Sequence, residues 1–335
     1  MMEIYMKLNN NELSKINLNS ARKNMDIENI FVSDKYLECY ENYKEFFPNK
    51  IQIFLEYSEN IEISLNERIK FASILSLLGD PRIQTMNPKM EKIPSATINI
   101  GLNYESLNDV YENYKYLGVE KEWIEKECPK HSIEIDTFFA GKYLVTNFEY
   151  LCFLKENPLA ELPTSWDLGL YPIHKSNHPV YTISLNSAYE YIKWLNTKTN
   201  EKYRLLSEYE WEYLASNGKM FEFPWGNQFN KNYCNTLEAK YYSTTPVGVF
   251  TEGNNEFGIC DLAGNVEEYV SNSYFVYPNG KLILDDLYKI TNSPYPMTRG
   301  GSFTRSCDLA RSKRRHGYFP GEIYVIGFRL AKDGV

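Results

Sequence analysis

The chain has 335 residues, of which 43% are hydrophobic, so it can bury a substantial core in one large domain with a smaller attachment. No apolar run approaches the roughly 20 residues that a membrane span needs, and the N-terminus lacks the basic and apolar regions of a secretory signal. We therefore expect a soluble, cytoplasmic protein with no membrane partner. The net charge of −8 and the lack of a recognisable nucleic-acid-binding module argue against a nucleic-acid partner.

The cysteines and histidines do not form a familiar metal-binding pattern. The six cysteines lie far apart with no CxxC pair, so we expect reduced thiols rather than a disulfide framework. There are only four histidines and no HExxH sequence. His174 and His178 are four residues apart, but Pro179 and the polar residues between them favour a surface turn over a pair of metal ligands.

Positive charge is concentrated near the C-terminus. Residues 299–335 contain eight Lys or Arg and three Asp or Glu, although the whole chain is acidic. This contrast indicates either a site for anions or arginines that pair with carboxylates elsewhere in the same domain. We favour pairing.

Residues 1–88 are rich in Asn, Lys, Glu and Tyr and poor in Gly and Pro, which predicts a helical extension to a domain at 89–335. The clearest helix of this extension is Leu65–Leu78, where apolar residues recur at helical spacing before Gly79 ends the helix. We expect this helix to pack on the main domain.

Short alternating runs follow Pro94. They predict strands at 96–101 and 133–139, and a turn and strand at 141–145. The polar and aromatic segment 104–128 predicts an inserted helical stretch. Three Ser/Thr-x-x-Glu sequences then predict helix starts at Thr146, near Ser187 and at Ser207.

From Phe223 onward, Pro, Gly and Asn separate short apolar runs, which predicts a loop-rich structure. Long loops in a compact domain are usually held by ions or by side-chain hydrogen bonds. Asn235, Asn265 and Glu268 offer the oxygen atoms that Ca²⁺ prefers. The spacing leaves a structural calcium site and turns closed by Asx hydrogen bonds as alternatives.

Eight short motifs occur in one order across residues 90–333, and together they resemble the formylglycine-generating enzyme, or sulfatase-modifying factor, superfamily. The motifs are Gly141-x-x-x-Val145-Thr146-Asn147, His178-Pro179-Val180, Tyr203-Arg204-Leu205-Leu206-Ser207-Glu208, Pro224-Trp225-Gly226, Pro246-Val247-Gly248, Gly258-x-x-Asp261-Leu262-x-Gly264-Asn265-Val266-x-Glu268, Arg299-Gly300-Gly301-Ser302-Phe303 and Gly327-Phe328-Arg329.

The resemblance implies an α+β, C-type-lectin-like fold that is rich in irregular loops and is often stabilised by Ca²⁺. At positions matching the family's calcium ligands, Asn235 and Thr236 would hold one ion. Asn265, the Val266 carbonyl and Glu268 would hold another.

This sequence departs from the family pattern at the catalytic cysteines. In the pattern of the formylglycine-generating enzymes, which this sequence otherwise resembles, one Cys lies three residues after RGGS and a second lies five residues later. The two thiolates form a pair suited to Cu(I). Those positions here are Arg305 and Ala310. An alignment anchored on the later arginines lets Cys307 match the second cysteine, but the first still has no counterpart. Iron-dependent members carry three histidines on a helical domain, and no histidine precedes His131, so we expect neither copper nor iron.

Two residues of the C-terminal segment could nevertheless react. Cys307 lies between Arg305 and Arg311, and nearby cations can lower a thiol pKa, although a buried packing role is the alternative. His316 could serve as a general base, or simply as a surface hydrogen-bond donor beside arginines.

The sequence therefore leaves two hypotheses of function. In the first, a family member without the two-cysteine copper site acts on a peptide or small molecule in a groove lined by residues 305–318. Its catalytic candidates are Cys307 and His316, and its ligand-binding candidates are Ser302, Arg305, Arg311, Arg315 and Tyr318. In the second, a non-catalytic lectin-like module binds a protein, peptide or small molecule through the loop 303–326. The sequence leaves open whether the protein is an enzyme.

Overall fold

The computed structural model describes residues 22–40, 45, 47, 49–318 and 324–334. Part of the predicted extension 1–88, chiefly residues 1–21, lies outside the described residues. So does part of the predicted binding loop, at 319–323. The helices are α1 (Lys35–Glu38), α2 (Ile51–Glu59), α3 (Leu65–Leu78), α4 (Leu107–Tyr114), α5 (Lys121–Glu125), α6 (Asn147–Glu156), α7 (Leu185–Thr199), α8 (Glu208–Ser216) and α9 (Asp286–Thr291). The strands are β1 (Met90–Ile93), β2 (Ala96–Ile100), β3 (His131–Ile135), β4 (Phe138–Gly141), β5 (Tyr203–Leu205), β6 (Glu267–Ser273), β7 (Pro296–Arg299), β8 (His316–Gly317), β9 (Ile326–Phe328) and β10 (Leu330–Asp333).

Within the described ranges, the strands form two four-stranded sheets and a two-stranded ribbon. One sheet has the order β1-β4-β10-β5, the other has the order β8-β7-β6-β9, and β2 pairs with β3. Most pairs are antiparallel, whereas β6 and β9 run parallel. Strands β9 and β10 are separated by Arg329 alone and belong to different sheets, so this residue lies where the two sheets join.

Two large apolar clusters lie against these sheets. The first packs α6 and α7 against residues of β5, β9 and β10, with Tyr150, Tyr191 and Phe328 fully buried. The second packs α8 against both four-stranded sheets, with Trp211 and Met297 fully buried. The sequence pattern of short apolar runs is therefore satisfied by packing between sheets and a few helices.

Two of the three predicted helix starts are confirmed. Thr146 and Ser207 each cap a helix in a reciprocal box with a glutamate three residues later. The helix predicted to start near Ser187 is also present, but its N-cap is Ser184 and α7 begins at Leu185. The Ser184 hydroxyl accepts a hydrogen bond from the Ser187 N–H at 3.2 Å, and the Ser187 hydroxyl donates to Glu161 instead of capping a helix.

The strand predictions between 96 and 145 are confirmed only in part. The strand at 96–101 corresponds to β2, and the helical stretch at 104–128 corresponds to α4 and α5. The predicted strand 133–139 is two strands, because β3 ends at Ile135 and β4 joins a different sheet. Residues 142–145 do not form the predicted strand. Val145 makes single backbone hydrogen bonds to Phe328 and to Val180, both 3.0 Å, before the chain enters α6.

Helix α3 has the predicted bounds and packs on the main domain as expected. Ser64 caps its start, and Gly79, at a φ of 87°, ends it. Asn177 accepts a hydrogen bond from the Ser76 hydroxyl at 2.5 Å and donates to the Ala72 carbonyl at 2.9 Å. The boundary between residues 88 and 89 stays a prediction. No helix among the described residues is long and apolar enough to cross a bilayer.

Candidate functional site

The basic C-terminal segment folds into the protein interior. Arg311 donates to both oxygens of Glu127 at 3.0 and 2.9 Å and pairs with Glu222 at 2.7 Å. Arg315 binds both oxygens of Glu208 at 2.8 and 2.9 Å. The expectation that these arginines pair within the domain, rather than form a site for anions, is confirmed for both residues.

This burial decides where three predicted ligand-binding residues lie. Ser302, Arg311 and Arg315 are at most 1% exposed. The Ser302 hydroxyl is 3.0 Å from the Thr304 hydroxyl. A ligand could reach either arginine only by displacing a buried carboxylate, which would leave that charge unpaired at a large cost.

Cys307 is also buried, at 5% exposure. Its backbone N–H donates to Glu238 Oε1 at 2.9 Å. Burial, followed by the charges of Glu238 and Asp308, raises the pKa of the thiol to about 12. The neighbouring arginines do not lower this pKa, because their guanidinium groups are engaged by other carboxylates, and the buried position agrees with the packing role that the sequence offered as the alternative.

His316, in β8, lies beside a carboxylate that is almost fully buried. Its Nδ1 is 2.8 Å from Glu267 Oε2, and that oxygen also accepts a hydrogen bond from the Thr298 hydroxyl at 2.7 Å. Burial lowers the pKa of His316, and Glu267 opposes this effect only in part. Burial alone would raise the pKa of Glu267, but His316, Arg305 and Thr298 outweigh it and hold this pKa below its ordinary value. The pair therefore consists of a neutral imidazole and an ionised carboxylate near neutral pH.

Arg305, Tyr318 and Tyr324 surround His316 and complete what we call the His316 surface. Arg305 is 40% exposed at its side chain, and its Nε lies 3.8 Å from Glu267 Oε1. Its guanidinium sits 5.1 Å from the centroid of the Tyr324 ring, which lies 5.5 Å from the ring of Tyr318. The fold thus brings together three predicted site residues, Arg305, His316 and Tyr318.

Sequence reasoning missed the roles of Glu267 and Tyr324. Neighbouring side chains of a strand point to opposite faces. Glu267 and Glu268 are adjacent in β6, so one reaches His316 and the other reaches Arg329. A strand prediction at 267–273 would have separated these two carboxylates.

Two of the predicted calcium ligands, Asn235 and Asn265, lie at a close backbone contact. The Asn265 N–H donates to the Asn235 carbonyl at 2.8 Å. Gly264 has a φ of 82°, and a Cβ there would lie 2.5 Å from the same carbonyl, so this motif needs glycine. The Asn265 side chain bonds the backbone N–H and carbonyl of Thr245 at 3.1 and 3.2 Å. Asn235 Nδ2 donates to Ser243, but Oδ1 is buried without a hydrogen-bond partner among the described residues.

Two other predicted calcium ligands, Glu268 and Thr236, have protein partners. Both carboxylate oxygens of Glu268 are held by Arg329, at 2.8 and 2.9 Å. The Thr236 hydroxyl donates to Glu238 at 2.7 Å. Glu268 therefore does not fit a cation site in this arrangement, whereas the bare Asn235 oxygen does, and Ca²⁺ binding stays a prediction. Within the described part of the chain, no group of three His, Cys, Asp or Glu residues could hold a metal ion.

The motif order and the loop-rich fold agree with one family. The family described as "Sulfatase-modifying factor enzyme 1-like domain" matches residues 81–334, and this chain belongs to it. Its members include proteins named formylglycine-generating enzyme, and the predicted C-type-lectin-like α+β fold is confirmed.

Three curated relatives show the range of proteins that contain similar sequences. The chain is 33% identical over 179 residues to the formylglycine-generating enzyme of Mus musculus. This alignment covers 48% of this chain and 46% of that protein. It is 35% identical over 167 residues to the inactive C-alpha-formylglycine-generating enzyme 2 of the same organism, covering 46% and 49%. It is 30% identical over 226 residues to the serine/threonine-protein kinase Pkn1 of Chlamydia trachomatis serovar L2, covering 62% and 35%. The chain thus spans about a third to a half of these relatives, and the similarity to the kinase reflects the shared domain.

Solved structures support the fold. PvdO from Pseudomonas aeruginosa matches with a TM-score of 0.54 and 23% identity, over 74% of this chain and 95% of that chain. Treponema denticola variable protein 1 matches with a TM-score of 0.54 and 19% identity, over 73% and 95%. At these identities the likeness concerns the fold alone.

Proposed function

We propose that this chain acts on a peptide or small molecule at the His316 surface, without the two-cysteine copper site of formylglycine-generating enzymes. The observation that carries the proposal is the contact of His316 Nδ1 with the buried Glu267 carboxylate, at 2.8 Å. A neutral imidazole that donates from Nδ1 keeps Nε2, which lies 3.2 Å from the Tyr324 hydroxyl, as a proton acceptor. A base oriented in this way can remove a proton from a ligand held against it.

The neighbouring side chains suit ligand binding. Arg305 and Tyr318 are each 40% exposed. A guanidinium offers hydrogen bonds to an anionic group of the ligand, and an aromatic ring offers a flat apolar contact. Arginine and tyrosine are also enriched at residues that dominate binding energy.

The state of the thiols supports chemistry without sulfur. Cys307 is buried, and its raised pKa disfavours the thiolate needed for nucleophilic attack or for binding copper. Cys234, whose pKa is raised by burial first and also by the charge of Glu238, is likewise buried. We therefore assign the candidate chemistry to His316 and give Cys307 a packing role.

A non-catalytic binding module is the second candidate. The same exposed arginine and tyrosine would serve recognition alone, through the loop 303–326. One curated relative of similar identity is named an inactive enzyme, so the family contains proteins in which the domain persists without turnover.

Metal content bears on both candidates. We expect the purified protein to retain at most Ca²⁺, bound at Asn235, and neither copper nor iron. Elemental analysis of protein purified without chelators measures this directly, and Asn235→Ala should lose the retained calcium. Stoichiometric copper or iron would contradict the assignment of chemistry to His316.

A defined peptide mixture can separate the two candidates. A tryptic digest of serum albumin is passed over the immobilised protein, and mass spectrometry records which peptides are retained and whether their masses change. An enzyme returns retained peptides with altered mass, and His316→Gln abolishes the change. A binding module retains them unaltered, and Arg305→Gln reduces retention by about tenfold or more, equivalent to 1.4 kcal/mol.

Cys307→Ala is the matched control, because it alters the same segment but not the proposed surface. It should leave both readouts as in the wild type. Retention that survives Arg305→Gln, or a mass change that depends on Cys307 and not on His316, would refute the proposed site.

A further inference from the structure

A polar groove lies where helix α2 meets the sheet β1-β4-β10-β5. Its volume is about 550 Å³, within the range of small-molecule sites in proteins. Phe139, Lys332 and Tyr203 line it and stand directly opposite one another on β4, β10 and β5, so they share one face of the sheet. Leu55 and Glu59 line it from α2. None of the residues lining this groove belongs to the His316 surface.

Arg82 has a hydrogen-bond donor at this groove that the described protein does not satisfy. Its side chain is 5% exposed, and its Nε and Nη2 donate to Asp80 at 2.9 and 2.6 Å. Nη1 has no hydrogen-bond partner among the described residues. Glu59 Oε1 lies 3.7 Å away, beyond hydrogen-bond distance. Since buried polar groups are normally hydrogen-bonded, Nη1 marks a place for an acceptor atom from another molecule.

The groove offers charges of both signs along its length. Lys89 is exposed at the β1 side, near the Arg82 end. Glu201 is 45% exposed at the β5 side, where it pairs with Lys332 at 3.0 Å. Gln84 and Asn87 add side-chain amides to the lining. A ligand that carries an oxyanion, hydrogen-bonding groups along its body and a positive group at its other end would match this order.

The span of the groove fits a short chain. It crosses four strands, and strands lie about 4.8 Å apart, which gives a length of roughly 14 Å. An extended peptide covers roughly 3.3 Å per residue, so about four residues fill this distance.

We propose that the groove binds a short peptide, with a peptide carboxylate on Arg82 Nη1 and Lys89 and with the amino end beside Glu201. The carboxylate supplies the acceptor that Nη1 lacks and takes the place of the half-exposed Glu59 carboxylate, whose Oε1 accepts a hydrogen bond from the Tyr143 hydroxyl at 3.3 Å. This site is distinct from the His316 surface and would remain if the proposed function there were wrong.

Titrations of the full chain with tetraglycine, followed by saturation-transfer NMR, test this proposal. We expect saturable binding of tetraglycine and binding of its C-terminal amide that is weaker by at least tenfold. Lys89→Gln, an exposed substitution, should weaken tetraglycine binding by at least about fivefold, because it removes one of two cations facing the carboxylate. Inorganic phosphate is titrated in parallel to ask whether any oxyanion suffices.

The control is Lys193→Gln, an exposed substitution outside both the groove and the His316 surface, which should bind tetraglycine as the wild type does. Loss of binding in Arg305→Gln with normal binding in Lys89→Gln would place the peptide at the His316 surface and overturn this proposal alone. Binding of phosphate without tetraglycine, equal binding of the acid and the amide, or no saturable binding would overturn it as well.

Discussion

At the scale of single residues, two adjacent glutamates of β6 have different roles. Glu267 faces His316 and lies beneath the half-exposed Arg305. Glu268 faces the other side of the strand, where Arg329 binds both of its oxygens. The first carboxylate can influence a group that solvent reaches, whereas the second is used entirely to hold the interior together. The candidate chemistry therefore depends on Glu267.

Glu267→Gln should lower the pKa of His316 further. The ionised carboxylate is what opposes the effect of burial on this imidazole, so replacing it with an amide removes the opposing charge. The pKa is measured from the pH dependence of the imidazole Cε1–H signals by NMR. The exposed His174 should titrate identically in both proteins. An unchanged or higher pKa for His316 would show that Glu267 does not stabilise its protonated form.

At the scale of one element, helix α6 begins with a capping box that contains a buried acid. Glu149 Oε2 accepts hydrogen bonds from the Thr146 N–H and hydroxyl, both at 2.7 Å. Burial nevertheless raises the pKa of Glu149 to about 7, although the two hydrogen bonds from Thr146 lower it. The capping contact that starts α6 therefore also makes the free energy of unfolding of the protein depend on pH.

Glu149 should contribute a loss of stability between about pH 4.5 and pH 7, against an opposite contribution from the buried His178, whose pKa is lowered by burial to about 3. In this window the folded state keeps the proton and the unfolded state releases it, so a rise in pH favours unfolding. The loss from this group is up to about 3 kcal/mol across the window.

Glu149→Gln keeps an acceptor oxygen for Thr146 and removes the titration. Urea unfolding at pH 5 and pH 7.5 should show that raising the pH favours the folded state more in the variant than in the wild type, because the histidine contributions are the same in both proteins. Asp261, whose pKa is raised by burial to about 6, is present in both proteins and cancels from the difference. Identical changes with pH would contradict the assignment to Glu149.

At the scale of the whole molecule, the basic C-terminal segment ties distant parts of the chain together. Arg311 reaches Glu127 after α5, Arg315 reaches Glu208 at the start of α8, and Arg329 reaches Glu268 in β6. Arg329 also donates to the Gly141 carbonyl at 3.0 Å. The uneven distribution of charge in the sequence is therefore resolved inside one domain.

Arg329→Met should destabilise the protein by about 3–5 kcal/mol, because it leaves Glu268 as an unpaired buried carboxylate. The free energy of unfolding in urea measures this loss. Arg204→Met is the matched control: Arg204 is 33% exposed and pairs with Glu210 and Asp333, so its loss should cost about 1 kcal/mol or less. Similar losses in the free energy of unfolding for the two variants would show that the Arg329–Glu268 pair stabilises the protein no more than an exposed ion pair does.

Local sequence chemistry determined much of this fold. Capping at Thr146 and Ser207 and the glycine stop after α3 depend on interactions within a few residues, and the structure confirms all three. The order of the family motifs likewise indicated the fold. The predicted helix near Ser187 is present, but Ser184 caps it, and the Ser187 hydroxyl bonds Glu161, a residue far away in the sequence.

The sequence by itself determined the family, the fold class and which residue types were available for a site. Only the tertiary structure decided which of them a ligand can reach. Arg305 and Arg311 look equivalent in the sequence, yet the first is 40% exposed and the second is fully buried against Glu127. The physical reason is that exposure and pKa depend on partners brought together by long-range folding, and no local pattern specifies which carboxylate each arginine will meet.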